Sequence, residues 1–414
     1  MKYYNQFLDG LSKIISFNTV RTKGSFPFGD EIEKCLIETL SQLNSLGFNT
    51  INKHYYGIAD LNINQSSETL GILGHIDIVP FIESEWDTPP LELTLKDNKL
   101  IARGVMDDKG PLLACAYAIA ELKNTPSLKQ TKNIRIIIGC DEESHCECIK
   151  KYNEIEEIPT YSFTPDADFP CVNFEKQILT LKVEIKKPDL IEYAFGGTAK
   201  NIVMTKLTYK LKNQEEKTIS GKAAHGSLPE DGENAFINFL KKYMQDDKDL
   251  RNLYDKLQDV YGKGLNIDIK DNTGSLSFCI SMLETKNDTF IFTFDIRLPL
   301  IGDKDVVIKK IKESLNAKIL IENYSPYLYI EENSFLVKTL TDTYNSIMQK
   351  NLKPLAIGGG TYAKYLSNCI GFGPTFKHSI KNIHQANESV FTADFENMYL
   401  IYLEAIKKLA FENS

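Results

Sequence analysis

The sequence lacks the features of nucleic-acid binding, membrane insertion and export. Its 48 Lys and Arg residues are outnumbered by 56 Asp and Glu residues, and the formal charge is −8. Such a chain offers no basic surface to a phosphate backbone or an anionic membrane. No stretch approaches the roughly 20 apolar residues of a membrane span, and residues 1–17 lack the apolar core of a signal peptide. We therefore expect a cytoplasmic protein that binds neither nucleic acid nor membrane.

The cysteines lack the spacing of a disulfide framework or a structural zinc site. The eight cysteines are scattered along the chain, and no two of them form a C-x-x-C pair. Cys146 follows His145 directly and Cys148 lies two positions further on, and we interpret both as incidental thiols of a short polar loop rather than as a metal cluster. This cysteine usage is typical of a reducing compartment.

What the sequence does contain is the composition of a folded enzyme. Hydrophobic residues make up 42% and charged residues 25% of the 414 positions, which disfavours disorder, coiled coil and fibre. The length exceeds the size at which a single core stops growing. A large domain together with a smaller one is the natural expectation.

The apolar pattern predicts an α/β catalytic domain with a mostly parallel central sheet flanked by helices. Residues 69–78 and 134–138 form nearly continuous apolar runs, as strands buried on both faces do. Helical stretches such as 111–122 separate these runs. We assign residues 1–177 and 323–414 to this catalytic domain.

Residues 178–322 follow a different rhythm and predict an inserted lid domain. A strand at 179–185 leads through an irregular insertion to a helix at 235–244, and two strands, a helix and a last strand follow. This order is a split βαβ arrangement, so we expect an α+β, ferredoxin-like fold.

Histidine and carboxylate residues recur where predicted strands end or where loops lead into helices. Each motif alone is weak evidence, because a strand-end histidine or an acidic helix start commonly has no catalytic role. Their convergence is stronger, since the carboxyl ends of strands in an open α/β sheet form its ligand sites, and clustered carboxylates favour a cation. The residues concerned are His75 and Asp77, Asp107 and Asp108, Asp141 to Glu143, Asp166 and His384.

The motifs that carry these and further residues are, in chain order, GHIDIVP, ARGVMDDKGP, GCDEES, TPDADFP, GKAAHG around His225, GGGTYA and IHQANE. In combination they resemble the aminoacylase and carboxypeptidase G family of dizinc hydrolases, and most of all its PepV-like dipeptidase branch. The resemblance runs from the first helix to the last, and the whole set of motifs is specific even though each piece is not.

The resemblance implies a role for each matching residue. It implies that His75 and Asp166 bind one metal, that Glu143 and His384 bind the other, and that Asp107 bridges the two. Asp77 would steady His75, and Glu142 would be the general base. In the inserted domain, His225 would polarise the scissile carbonyl, and Asn201 and Arg297 would hold the substrate carboxylate. From the residues alone, Arg297 is better explained as a surface pair with Asp295, two positions away on the same strand face.

The implied activity is hydrolysis of dipeptides that carry a free C-terminal carboxylate. Two divalent ions per chain would activate a bridging hydroxide, and Glu142 would transfer its proton. The resemblance implies zinc, although histidine and carboxylate ligands also suit manganese and cobalt. Two alternatives stay open: an amidohydrolase of N-acyl or N-carbamoyl amino acids, and a metal-binding protein without catalysis. The inserted domain is shorter than in monomeric PepV-like enzymes, so both a monomer and a homodimer in which His225 acts across subunits are open.

Overall fold

The computed structural model describes residues 2–22, 27–63 and 66–413. The chain divides into two compact units. The first unit takes residues 1–173, 329–355 and 361–414, and the second takes 174–328 and 356–360. The expected domain limits of 178 and 322 lie a few residues inside the second unit and stay a prediction.

Helices form where the apolar residues recur at helical spacing, and the helices expected at 111–122 and 235–244 are both present. Their bounds in the described residues are α1 (Tyr4–Ile15), α2 (Asp30–Ser45), α3 (Lys109–Lys123), α4 (Glu147–Ile155), α5 (Ala235–Tyr243), α6 (Lys248–Leu257), α7 (Lys304–Leu315), α8 (Phe335–Met348) and α9 (Thr392–Ala410). The Asp247 side chain caps α6 by accepting from the backbone N–H groups of Asp249 and Leu250. No helix among the described residues is long and apolar enough to cross a bilayer.

The strands follow in chain order. They are β1 (Asn49–Asn52), β2 (Tyr56–Leu61), β3 (Thr69–His75), β4 (Thr94–Lys96), β5 (Lys99–Ile101), β6 (Leu128–Gln130), β7 (Asn133–Gly139), β8 (Tyr161–Thr164), β9 (Ala167–Asp168), β10 (Val172–Glu175), β11 (Gln177–Lys186), β12 (Ile191–Gly196), β13 (Lys206–Leu211), β14 (Glu216–Ser220), β15 (Lys270–Asp271), β16 (Gly274–Ser275), β17 (Ser277–Lys286), β18 (Thr289–Leu298), β19 (Lys318–Ser325), β20 (Leu328–Tyr329), β21 (Leu355–Ile357), β22 (Cys369–Gly371), β23 (Pro374–Thr375), β24 (Ser389–Phe391) and β25 (Phe411–Asn413).

The main sheet of the first unit is parallel at its centre and antiparallel beyond it. Strands β7, β3, β8 and β22 lie side by side and parallel, whereas β1, β2 and β10 pair antiparallel. The β3–β7 register runs from Thr69 opposite Asn133 to His75 opposite Gly139. The two strands therefore end together, and this brings His75 beside the acidic segment that follows β7.

The second unit is built on an antiparallel sheet in the order β14-β13-β12-β17-β18-β11-β19. Its apolar residues form one core with residues of α5, α6 and α7. The prediction of an irregular insertion between β11 and α5 is wrong, because β12, β13 and β14 extend the sheet there. A register shift between Ile191 and Tyr193 breaks the alternation of β12, and β14 is an edge strand with little burial. Neither strand therefore shows a regular period of two.

Candidate metal centre

The first unit brings together all five side chains expected to bind metal. His75 ends β3, Asp107 precedes α3, Glu143 follows β7, Asp166 follows β8 and His384 precedes β24. The backbone of His384 has a φ of 62°, a left-handed conformation that is uncommon outside glycine.

Asp107 lies at the middle of this cluster, with each carboxylate oxygen directed at a different histidine. Its Oδ1 lies 2.9 Å from His75 Nε2, and its Oδ2 lies 2.8 Å from His384 Nε2. Glu143 Oε1 lies 3.0 Å from the same His384 nitrogen, and Asp166 Oδ2 lies 3.7 Å from His75 Nε2. The five side chains thus form two sets, each with one histidine and one further carboxylate, that share Asp107.

These two sets have the donors that a divalent ion requires. In each of them, one nitrogen or oxygen per residue lies within 4.8 Å of the others: His75, Asp107 and Asp166 in the first, and Asp107, Glu143 and His384 in the second. Imidazole nitrogen with carboxylate oxygen suits zinc and related ions. The residues therefore fit a pair of metal ions bridged by Asp107.

The electrostatics of the cluster also favour the binding of cations. Burial and the nearby Asp107 raise the pKa of Asp166 to about 7. Burial also raises the pKa of Glu143, where His384 opposes it, and it raises that of Glu142 well above the ordinary value. Acids placed so close together repel one another when ionised, and cations between them remove that penalty.

Asp77 contacts both His75, which it is expected to steady, and the acidic segment that follows β7. Its side chain is buried, and its two oxygens accept the backbone N–H groups of Glu142 and Glu143, both at 3.0 Å. His75 Nδ1 lies 3.1 Å from the backbone oxygen of Asp77 and 3.4 Å from its Oδ1. Asp77 therefore holds the expected base and the adjacent expected ligand in place through their backbone.

Glu142, the expected general base, lies beside both of these donor sets. A carboxylate oxygen of Glu142 belongs to a third compact set of donor atoms, together with His75 and Glu143. His75 belongs to one of the two metal-type sets and Glu143 to the other. Glu142 is therefore close to both sets without being a member of either.

Glu388 is a buried residue of this region to which the motifs gave no role. Its Oε2 accepts hydrogen bonds from Arg103 Nη1 at 2.8 Å and from Gly104 N at 3.2 Å. Its Oε1 accepts hydrogen bonds from Met106 N at 2.9 Å and from Asp107 N at 3.2 Å. Arg103 also donates to the backbone oxygen of Gln385. Glu388 thus joins the loop that carries Asp107 to the loop that carries His384. The sequence signal for this role was the glutamate that ends IHQANE.

Asp108 is a second buried carboxyl group beside the cluster. Its Oδ2 accepts the backbone N–H of His75 at 3.1 Å. A side chain on Gly74 would overlap this carboxyl group, so the strand needs glycine one position before His75. Burial raises the pKa of Asp108 well above the ordinary aspartate value. The residues alone did not separate Asp107 from Asp108 in their shared loop, whereas the resemblance pointed to Asp107, and Asp107 is the one that joins the donor sets.

The three expected substrate residues lie close to one another in the second unit. The backbone oxygen of Asn201 accepts from Gly226 N at 2.7 Å, next to His225. Arg297 donates from Nε and Nη2 to the two oxygens of Asp295, at 2.9 and 2.8 Å. Its Nη1 donates to the backbone oxygen of Gly358 at 3.1 Å.

The Arg297–Asp295 pair is real, but it is buried rather than on the surface as the sequence-based alternative supposed. Both side chains are almost fully shielded from solvent. Arg297 has five N–H donors, and the three contacts to Asp295 and Gly358 leave two of them for other partners. Binding of a substrate carboxylate by Arg297 stays a prediction, with fewer free donors than an unpaired guanidinium would offer.

The chain is similar to known peptidases over most of its length. The model of peptidase family M20/M25/M40 matches residues 71–408. The "Putative dipeptidase" of Staphylococcus epidermidis is 28% identical over 472 aligned positions, which cover 100% of this chain and 99% of that protein. The crystal structure of human carnosine dipeptidase 1 has a TM-score of 0.60 at 16% identity and covers 98% and 96% of the two chains. Aminopeptidase PepT from Bacillus cereus has a TM-score of 0.61 at 16% identity and covers 98% of each chain.

Proposed function

Because the chain belongs to peptidase family M20/M25/M40, we propose that it is a metal-dependent dipeptidase that holds two divalent ions and cleaves short peptides with a free C-terminal carboxylate. The observation that carries this proposal is the geometry of Asp107, whose two oxygens lie 2.9 and 2.8 Å from two different histidines. The similarity to the staphylococcal relative, which extends over the full length of both chains, supports the choice of dipeptides.

The proposed ligands are His75 and Asp166 for one ion, Glu143 and His384 for the other, and Asp107 for both. When bound, the two ions lower the pKa of a water molecule and stabilise negative charge on the carbonyl oxygen. Zinc is the proposed metal, and manganese and cobalt suit the same ligands. Asp77, Asp108 and Glu388 orient the ligands through the contacts described above.

Glu142 is the proposed general base. Its carboxylate accepts the proton of the attacking water and then returns that proton to the nitrogen of the leaving amine. Burial raises the pKa of Glu142, and a carboxyl group with a raised pKa both accepts and returns a proton readily. Asp77 accepts a hydrogen bond from the backbone N–H of Glu142, and this contact fixes the position from which the Glu142 side chain extends.

Three residues of the second unit are proposed to bind the substrate. His225 would donate a hydrogen bond to the carbonyl oxygen as negative charge develops there. Arg297, with its two remaining N–H donors, and the Asn201 side chain would bind the C-terminal carboxylate. Such a contact at the end of the peptide restricts substrates to short ones.

The test is turnover by metal-free protein reconstituted in turn with zinc, manganese and cobalt. The substrates are a panel of dipeptides, with N-acetyl and N-carbamoyl amino acids in parallel. We expect dipeptide hydrolysis that is lost with a chelator and regained at two ions per chain, as measured by elemental analysis. Turnover confined to the acylated amino acids would replace the proposal with the amidohydrolase alternative. Full activity with one bound ion would remove Asp107 from its bridging role.

A further inference from the structure

The surroundings of His225 determine which of its ring nitrogens carries the proton. His225 Nδ1 lies 2.7 Å from Ser227 Oγ and 3.2 Å from the backbone nitrogen of Ser227, which donates to it. A backbone N–H can only donate, so the nitrogen that faces it must present a lone pair. The proton of the neutral ring therefore lies on Nε2, the nitrogen on the other side.

Ser227 is itself held by a ring of contacts within the second unit. Gly358 packs so closely on Ser227 that a Cβ at position 358 would lie 2.6 Å from the Ser227 Cβ. Gly358 accepts from Arg297, and Arg297 is paired with Asp295. Asp295 in turn packs against Gly226, where a side chain would overlap its carboxylate. Because Gly226 lies between His225 and Ser227 in the chain, this series of contacts leads back to Ser227.

This arrangement leaves the other side of the imidazole available. His225 is partly exposed to solvent, and within the described residues Nε2 has no hydrogen-bond partner. Partial burial, and then the positive charge of Arg297, lower the pKa of His225, while Asp295 opposes them. These influences favour the neutral form of the ring, in which Nε2–H is a donor and Nδ1 is an acceptor.

We propose that Ser227 is a positioning residue that holds His225 as the neutral Nε2–H tautomer, with Nε2 directed away from Ser227 as a hydrogen-bond donor. The use of that donor on a substrate carbonyl oxygen rests on the proposed function; the tautomer and its cause rest only on the contacts within the second unit. The buried Asp295–Arg297 pair then has a structural role in addition to any contact with substrate, since it holds the segment that packs on Ser227.

The first test is nuclear magnetic resonance of the full chain labelled with ¹⁵N in its histidine rings. The His225→Gln variant assigns the signals of this ring among the six histidines. We expect the His225 pattern at neutral pH to show an unprotonated Nδ1 and a protonated Nε2. In Ser227→Ala, the Nδ1 resonance should move downfield because the hydrogen bond from the hydroxyl group is lost. A proton on Nδ1 in the wild-type protein, or an Nδ1 resonance unchanged in Ser227→Ala, would overturn the proposal.

The second test is kinetic, with the metal-loaded enzyme and a dipeptide that the wild-type protein cleaves. Ser227→Ala should lower kcat by about 3- to 10-fold, the effect of one neutral hydrogen bond, and leave KM nearly unchanged. The matched control is Ser220→Ala, on the exposed edge strand β14, which should alter neither kcat nor the His225 resonances. A Ser227→Ala enzyme with wild-type kcat would show that Ser227 does not position His225 for the reaction.

The two tests separate this inference from the proposed function. If the wild-type protein cleaves no dipeptide under any metal, the proposed function fails, yet the resonance experiment still decides the tautomer. If dipeptides are cleaved but Nδ1 carries the proton, the proposed function is supported and the proposed positioning of His225 by Ser227 is wrong.

Discussion

Replacing Glu388 with glutamine tests whether a buried carboxylate anchors the proposed bridging ligand. Glutamine keeps the size of the side chain and one oxygen, but it places an NH₂ group where a carboxylate oxygen now accepts two donors. If the retained oxygen faces Met106 and Asp107, the NH₂ group of the amide lies opposite Arg103 Nη1 and Gly104 N, which are themselves hydrogen-bond donors. The variant then loses one hydrogen bond to a charged group and one to a neutral group.

The expected size of the effect follows from those two contacts. A hydrogen bond to a charged group contributes about 1.5 to 3 kcal/mol and a neutral one about 0.5 to 1.5 kcal/mol. The free energy of unfolding should therefore fall by about 2 to 4.5 kcal/mol. Arg103 is left buried without its anion, which adds to the loss. Metal affinity should weaken about 10- to 100-fold, as is typical when a residue that orients a ligand is changed.

The assay uses the only tryptophan of the chain. Trp86 lies 5.3 Å from the Arg103 guanidinium, so its fluorescence reports urea unfolding of this region. Measurement at pH 8 keeps Glu388 ionised, because burial and the nearby Asp107 raise its pKa to about 7. Chelator-treated protein gives the stability alone, and calorimetric titration with zinc gives the affinity.

The matched control is Glu396→Gln on the exposed side of α9, which should change stability by less than about 0.5 kcal/mol. If Glu388→Gln unfolds at the wild-type urea concentration and binds zinc with wild-type affinity, Glu388 does not anchor the Asp107 loop. Weaker zinc binding with unchanged stability would instead limit its role to the orientation of Asp107.

Two further predictions concern the proposed base and the proposed carboxylate contact. Glu142→Gln should keep both metals and lower kcat by about 10² to 10⁴ with little change in KM. Glu143→Gln, by contrast, should lose one metal and activity together. Near-normal turnover by Glu142→Gln with both metals bound would refute the assignment of the base. Arg297→Met should raise the KM for dipeptides by about 10- to 150-fold, the loss of a contact to a charged group, and should also destabilise the protein because Asp295 stays buried without its partner. Asp295→Asn leaves the guanidinium in place and should keep KM close to the wild-type value, so an equal rise of KM in both variants would mean that Arg297 serves only to hold the fold.

The sequence by itself determined which side chains make up the candidate site and most of the elements that carry them. His75 could be placed at the end of a strand because the preceding apolar run is continuous, and the acidic segment at Glu142 and Glu143 because it follows a second such run. Parallel strands end at one edge of a sheet, so these side chains had to meet. The pattern failed at β12 and β14, where a register shift and an exposed edge remove the alternation that marks a strand.

Only the tertiary structure decided which polar groups contact one another. Glu388 accepts from the backbone of Asp107 across 281 positions of sequence, and Arg297 reaches the backbone of Gly358 across 61. Local patterns report the burial of a segment but not the identity of a partner brought to it by distant parts of the chain. The buried carboxylate of Glu388 needs donors wherever the fold supplies them, and Ser227 holds the His225 ring only because the chain turns back on itself there. The residue types of the candidate site could be recognised from the sequence, whereas the orientation of their side chains depended on the folded backbone.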